Sequence, residues 1–203
     1  MSWKAIFLLI FAVFCGWSYI ECKIRARKED EAEAAFWERE NAANSVRRKP
    51  IDHLDYIKLP DNLPVDLLKD NIEMPGILSI IDNLKNSKIL NLTGYTNTDL
   101  KLEYGAPNIT ELSKYDQNYT TLVTTFQKWA DILLDTGYES EAISLMEFLV
   151  STKADIGKTY RLLAKHYLTN GMNDKYDELL KSAGELKSLN TQYILKSIKE
   201  LKN

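Results

Sequence analysis

Few residues in this chain have the type and spacing to carry out chemistry, and each has a plainer reading. Thr152 to Thr159 read T-K-A-D-I-G-K-T, an echo of the loop whose glycine amides cradle phosphates while a lysine reaches the outer ones. The leading glycine is missing, because Thr152 stands there, and no glycine-rich turn follows a strand. Gly157-Lys158-Thr159 reads more simply as the first turn of a helix capped by Asp155. His53 and His166 lack the paired spacing of a metal site, and His166 beside Tyr167 reads as a surface or packing residue. Glu139 and Glu141 read as a solvated first helical turn. No GxSxG, HExxH or GxGxxG occurs. The sequence therefore assigns no catalytic, cofactor-binding or metal-binding residue and points away from an enzyme.

A different pattern is more informative. Lys158, Arg161 and Lys165 recur at i, i+3 and i+7, which puts three cations on one helix stripe. Such a stripe can pair with acidic side chains or with a peptide C-terminal carboxylate. The competing reading is a solvated, lysine-rich helix face.

The bulk balance narrows the partners. The 203 residues carry a formal charge of −3, which is not the strongly basic balance of a general nucleic-acid binder. With 45% hydrophobic residues the chain can bury a core, and its sparse glycine (8) and proline (5) favour helices. The two cysteines are Cys15 and Cys22, so everything beyond residue 22 lacks a disulfide framework and a thiolate metal site.

The segment that positions everything else is the N-terminus. Ala5 to Ile20 read AIFLLIFAVFCGWSYI, without a charge. At 1.5 Å per residue this run spans about 24 Å, and Trp3 to Cys22 spans about 30 Å, the hydrocarbon thickness of a bilayer. Trp3, Trp17 and Tyr19 stand near the two ends, where amphipathic rings prefer the interface. A cleaved signal peptide needs a basic start and small residues before the cut; only Lys4 is basic, and no A-x-A pattern follows. Residues 1–22 are expected to be an uncleaved, single-pass anchor in the cell membrane, with residues 5–22 in the lipid bilayer. Lys23, Arg25, Arg27 and Lys28 outnumber Lys4 and the α-amine on the other flank. That bias places the C-terminal part in the cytoplasm, with the basic cluster against anionic headgroups. Sequons occur at Asn91, Asn108 and Asn118, but about two would arise by chance in so asparagine-rich a chain, so they carry no weight.

Residues 23–49 read as a juxtamembrane helix, rich in Glu, Ala, Arg and Lys, continuing to about Asn44 and stopped before Pro50. Phe36 and Trp37 are its main apolar features and are expected to pack. Residues 50–115 read as an irregular linker region with short helices. Asp52 to Pro60 looks extended. Pro75 to Asn86 has helical spacing in Ile77, Ile80, Ile81 and Leu84. Lys88 to Leu92 reads as a short strand or a buried extended segment. Asn108-Ile109-Thr110-Glu111 has capping-box spacing before a short helix ending near Tyr115.

Residues 116–203 repeat themselves with a period of 34. Phe126 falls on Tyr160, Trp129 on Leu163, Ala130 on Ala164, Leu133 on Tyr167, Leu134 on Leu168 and Gly137 on Gly171. Leu145 and Met146 fall on Leu179 and Leu180, and a further shift brings Tyr160 onto Ile194, Ala164 onto Ile198 and Tyr167 onto Leu201. The spacing is that of stacked helical hairpins, with a glycine ending the first helix of each pair. Asp155 and Asn173 are expected to cap the helices that follow them.

At these residues the chain resembles the tetratricopeptide repeat family. The family pattern is met by Phe126, Trp129-Ala130, Leu133, Gly137 and Ala142, then by Tyr160, Leu163-Ala164, Tyr167 and Gly171. Tyr176 replaces the family's alanine in the second repeat, and Ala154 and Ser188 stand where each repeat would close with proline. Residues 191–203 read as a capping helix. Two repeats are fewer than such a stack needs, so the middle segment or a partner chain should cover one end. The arrangement is similar to that of membrane-anchored bacterial proteins with a degenerate repeat tail. The resemblance implies a concave, peptide-binding groove lined by Thr124, Gln127, Asp131 and Leu134, then by Lys158, Arg161, Lys165 and Leu168. The expected fold is mainly α, with a transmembrane helix followed by helical-hairpin repeats. The expected role is that of a membrane-tethered adaptor or scaffold binding a protein or peptide partner, with no cofactor and no nucleic acid. A second copy of the chain is a further candidate partner. The rivals are a structural subunit of a membrane complex and an enzyme with a site in 50–115.

Overall fold

The computed structural model describes residues 2–202. Met1 and Asn203, the outer ends of the expected anchor and repeat segments, lie outside the described residues. The protein is 69% helical, with no strand among the described residues. Its helices are α1 (Trp3–Asn44), α2 (Met74–Lys85), α3 (Asn97–Tyr104), α4 (Ile109–Asp135), α5 (Glu139–Ser151), α6 (Gly157–Thr169), α7 (Asn173–Gly184) and α8 (Thr191–Lys199). They form two compact units. One holds the chain up to Lys49 with Asn97–Pro107, the other Pro50–Thr96 with Asn108–Asn203.

In the first unit, α1 runs 42 residues without a break. Its first half is long and apolar enough to cross a membrane: an 18-residue window has mean hydropathy 1.6, and none of that window is buried inside the protein. Its second half is polar and carries one-turn ion pairs, Arg25 to Glu21 at 3.3 Å and Arg27 to Glu31 at 2.8 Å. α3 packs on the end of α1 through Leu100 and Ala43, both buried. Polar contacts fix the pair: Arg39 Nη2 reaches Asp99 Oδ1 at 2.5 Å, and Glu40 accepts from Thr98 Oγ1 at 2.7 Å and from Lys101. Lys49 Nζ donates to the carbonyls of Leu102 and Glu103, satisfying the open end of α3. Gly105 makes this closure possible. Its φ is +93°, and a Cβ there would lie 2.2 Å from the Arg47 carbonyl oxygen. α3 has no counterpart in the sequence reading, because its eight residues hold a single buried apolar position.

In the second unit, residues 50–96 share one core with α4–α8. Ile57, Leu59, Leu63 and Val65 pack on it from irregular chain, and α2 lays Met74, Ile77, Ile81 and Leu84 against α4. The middle segment thus packs against α4 and belongs to the same core. Lys88 to Leu92 is the buried extended segment rather than a strand. Its polar groups go to single neighbours: Ile57 N donates to Ile89 O at 2.9 Å, Leu90 N to Tyr115 O at 3.2 Å, and Leu92 N to Asp116 Oδ1 at 3.1 Å.

Four local expectations are corrected. The helix starting at Asn108 does not stop near Tyr115; α4 continues for 27 residues, because Leu112, Tyr119, Leu122, Phe126 and Trp129 make one buried face with no glycine or proline between them. Asn108 stands at its N-cap position, but its side chain does not cap. Asp155 and Asn173 do not cap either: Ile156 and Met172 occupy those positions, and Asp155 Oδ2 instead accepts from Asn190 Nδ2 at 3.3 Å.

The 34-residue self-similarity has a geometric counterpart. Gly137 and Gly171 both take left-handed φ, +87° and +70°. Tyr138 N donates to Leu133 O and Met172 N to Tyr167 O, each at 2.8 Å, while the glycine amides bond back to Leu134 and Leu168. These are two copies of one helix-ending motif, and each opens the next helix in the same way. α5 ends alike through Lys153, at φ 61°, with Ala154 N donating to Leu149 O. The matched positions Phe126, Tyr160 and Ile194 are fully buried, as are Ala130, Ala164 and Ile198. Each such large side chain contributes about 1.5–3 kcal/mol on removal from water. Between helices, α4 packs on α5, α6 on α7, and α8 on both α6 and α7.

Candidate partner-binding cleft

The buried face of α6 fixes where its polar face points. Thr159, Tyr160, Leu163, Ala164 and Tyr167 enter the core, so Lys158, Arg161 and Lys165 lie along the outer side. α8 buries Ile194 and Ile198 and leaves Tyr193 outside, 71% exposed. Between these two faces lies an open cleft of about 560 Å³, walled by Lys158, Arg161, Leu162, Lys165, Tyr193 and Ser197. It combines cations with an aliphatic and an aromatic wall.

Of the five expected groove residues, Lys158, Arg161 and Lys165 line the cleft, whereas Gln127 and Asp131 on α4 are joined to Lys158 and Thr159 beside it. Lys158 Nζ lies 2.8 Å from Asp131 Oδ2. Gln127 Nε2 donates to Asp131 Oδ1 at 2.9 Å, and Thr159 Oγ1 donates to Gln127 Oε1. Gln127, Asp131 and Lys158 are therefore members of a polar ladder tying α4 to α6. Arg161 and Lys165 are exposed and have no carboxylate partner among the described residues. The cation stripe thus offers two charges to a ligand. Leu134 and Leu168 are half-buried members of the core's edge, and Thr124 Oγ1 bonds back to Thr120 O within its own helix.

Tyr193 and Ser197 were missed by the sequence reading. The signal was present: Ile194 and Ile198 mark the buried face of α8, which leaves Tyr193 as an aromatic off that face.

The remaining chemistry-bearing residues have local partners. Thr152 closes α5 and Gly157 to Thr159 open α6, so the phosphate-loop echo falls at a turn between two helices. His166 Nδ1 lies 2.9 Å from Glu139 Oε1. Glu147 accepts from Tyr167 Oη and Lys175 Nζ, each at 2.7 Å; burial pushes its carboxyl up, but these two donors outweigh that and hold it below the ordinary value. Among the described residues, no group of three His, Cys, Asp or Glu could hold a metal ion. A second cavity of about 290 Å³ is lined in part by Asp55, Asn91, Tyr95, Lys153, Glu185 and Lys187. Its Asn91 Nδ2 already donates to Tyr119 Oη at 3.0 Å and to the Thr152 carbonyl at 2.9 Å. The sequon asparagines are likewise committed: Asn108 is buried, and Asn118 Nδ2 donates to Lys88 O. Phe36 and Trp37, expected to pack, form an edge-to-face pair at 5.3 Å and remain about half exposed, 55% and 53%.

Comparison with protein families, with curated proteins and with solved structures finds no match to this chain.

Proposed function

We propose that this chain is a membrane-tethered protein-interaction module: α1 anchors it as a single-pass protein of the cell membrane, and a tetratricopeptide-like stack formed by α4–α8 docks a protein partner on the cytoplasmic side. The observation that carries the reading is the cleft between α6 and α8, where Arg161 and Lys165 stand without carboxylates beside Leu162 and Tyr193. Exposed cations next to apolar walls suit a partner segment that presents acidic and apolar side chains together. The repeated glycine turns support the family resemblance, and the wholly exposed apolar half of α1 supports the anchor. The excess of Lys and Arg after the apolar run supports the cytoplasmic side.

The test is charge reversal of Arg161 and Lys165 in the membrane-bound chain. Partner capture should fall at least tenfold while helix content is unchanged; undiminished capture removes the cleft from the reading. The exposed Phe36–Trp37 pair favours a second reading, a structural subunit held in a membrane complex through α1. Loss of capture on F36A/W37A, with R161E/K165E neutral, would select it.

A further inference from the structure

Resting on that docking role, a more specific occupant follows from the chemistry of α1 itself. Beyond the apolar half, Glu29 and Asp30 stand about two turns, and Glu33 about one turn, before Phe36 and Trp37. Glu29, Glu33 and Phe36 are at i, i+4 and i+7, and Asp30, Glu33 and Trp37 at i, i+3 and i+7, so all five share one face. All five are exposed. Glu33 accepts from Trp37 Nε1 at 3.3 Å, which orients the ring beside the carboxylate. The face is therefore acidic at one end and aromatic at the other.

The cleft is its complement. Arg161 and Lys165 are four residues apart on α6, the spacing of Glu29 and Glu33, and Leu162 and Tyr193 supply the apolar wall. A volume of about 560 Å³ leaves room for an aromatic side chain with carboxylates beside it. The geometry points to a second copy of this chain as the occupant: the Glu29–Trp37 face of one copy lies along α6 of another. Glu29 and Glu33 pair with Arg161 and Lys165, and Phe36 and Trp37 rest on Leu162 and Tyr193. Confinement of both copies to one bilayer raises their effective concentration and offsets the weakness of exposed ion pairs. The interface is head-to-tail rather than self-complementary, so it joins copies in rows unless the rotation closes a ring.

The test uses full-length chains carrying two different fluorophores, reconstituted in neutral-lipid vesicles at fixed density, with energy transfer as the readout. The wild type should associate. R161E/K165E alone and E29K/E33K alone should each lose at least tenfold in association. Mixed together they should regain it, because one retains an intact helix face and the other an intact cleft. Should charge reversal disturb helix content, R161Q/K165Q carries the same comparison. Transfer unaffected in either variant alone, no recovery in the mixture (the outcome of docking within one chain), or a monomeric wild type each overturns the inference. A photo-crosslinker at position 197 on the cleft wall, in the native membrane, separates the two levels. Capture of a different protein with no transfer between copies defeats self-docking and leaves the docking role standing, whereas capture of nothing defeats both.

Discussion

Lys158 Nζ lies 2.8 Å from Asp131 Oδ2 and so joins α6 to α4, two helices between which the whole of α5 intervenes in the chain. The bridge takes Lys158, which lines the cleft, out of the set of charges open to a ligand. Arg161 and Lys165, one and two turns along, carry what remains.

Because the bridge is half exposed, with side-chain exposures of 58% and 33%, removing it should have a small effect. Lys158→Ala should lower stability by no more than about 1 kcal/mol. Thr159→Val should cost more, about 1–2 kcal/mol, since Thr159 is buried and its hydroxyl serves Gln127. Denaturant melts of the full chain in one detergent check the ranking; equal losses would contradict it.

Two buried tyrosines should respond in opposite ways to loss of the hydroxyl. Tyr119 Oη donates to the Thr152 carbonyl at 3.2 Å and accepts from Asn91, so Tyr119→Phe should cost about 1–2 kcal/mol. Tyr160 Oη is buried with no hydrogen-bond partner among the described residues, so Tyr160→Phe should be neutral or stabilising by up to about 1 kcal/mol. Thermal melts of the two variants decide this, and a destabilised Tyr160→Phe would reveal a bond to an internal water.

The same phenols set the alkaline limit. Burial, with Asp155 nearby, pushes Tyr160 up from 10.0 to about 12, and burial also raises Tyr119 and Tyr167. A group whose folded value is raised contributes stability that is intact below about pH 10 and fades as the pH climbs toward 12. Unfolding followed by tyrosinate absorbance should therefore begin above pH 10, and Tyr160→Phe should move its onset upward. Glu147 works on the acid side. Its folded value is lowered, so its contribution holds above the ordinary carboxylate range and is lost as pH falls through that folded value.

Glycines separate strain from collision. Gly137 and Gly171 have left-handed φ but open space around them, so alanine at either should cost about 1 kcal/mol. At Gly105 a Cβ would meet the Arg47 carbonyl oxygen at 2.2 Å, so Gly105→Ala must separate the turn from the end of α1. Amide exchange should then accelerate through Asn97–Pro107 while α4–α8 stay protected; unchanged exchange would contradict the role assigned to Gly105.

Legibility followed the range of the interactions. The 34-residue register was readable because each position is fixed by neighbours within one or two helices: Phe126 and Tyr160 fill equivalent core sites, and Gly137 and Gly171 end equivalent helices. The middle segment was not readable because long-range contacts decide it. Lys88 to Leu92 has no periodicity of its own and is held by Ile57, Tyr115, Asp116 and Asn118. α3 owes its place to Arg39, Glu40 and Lys49, some 50 to 60 residues earlier. In the cleft, residue types marked the cation stripe, but only the side-chain contacts between α4 and α6 show that Asp131 claims Lys158, and only α8 brings Tyr193 to Arg161.

The docking role is tested most directly by site-resolved photo-crosslinking in the native membrane. A photoreactive residue is placed at position 197 in the cleft and, as a control, at position 181 on α7. The reading expects an adduct of defined mass from position 197 that disappears on Arg161→Glu and is absent from position 181. Identical adducts from both positions, or one from 197 that survives Arg161→Glu, would contradict it.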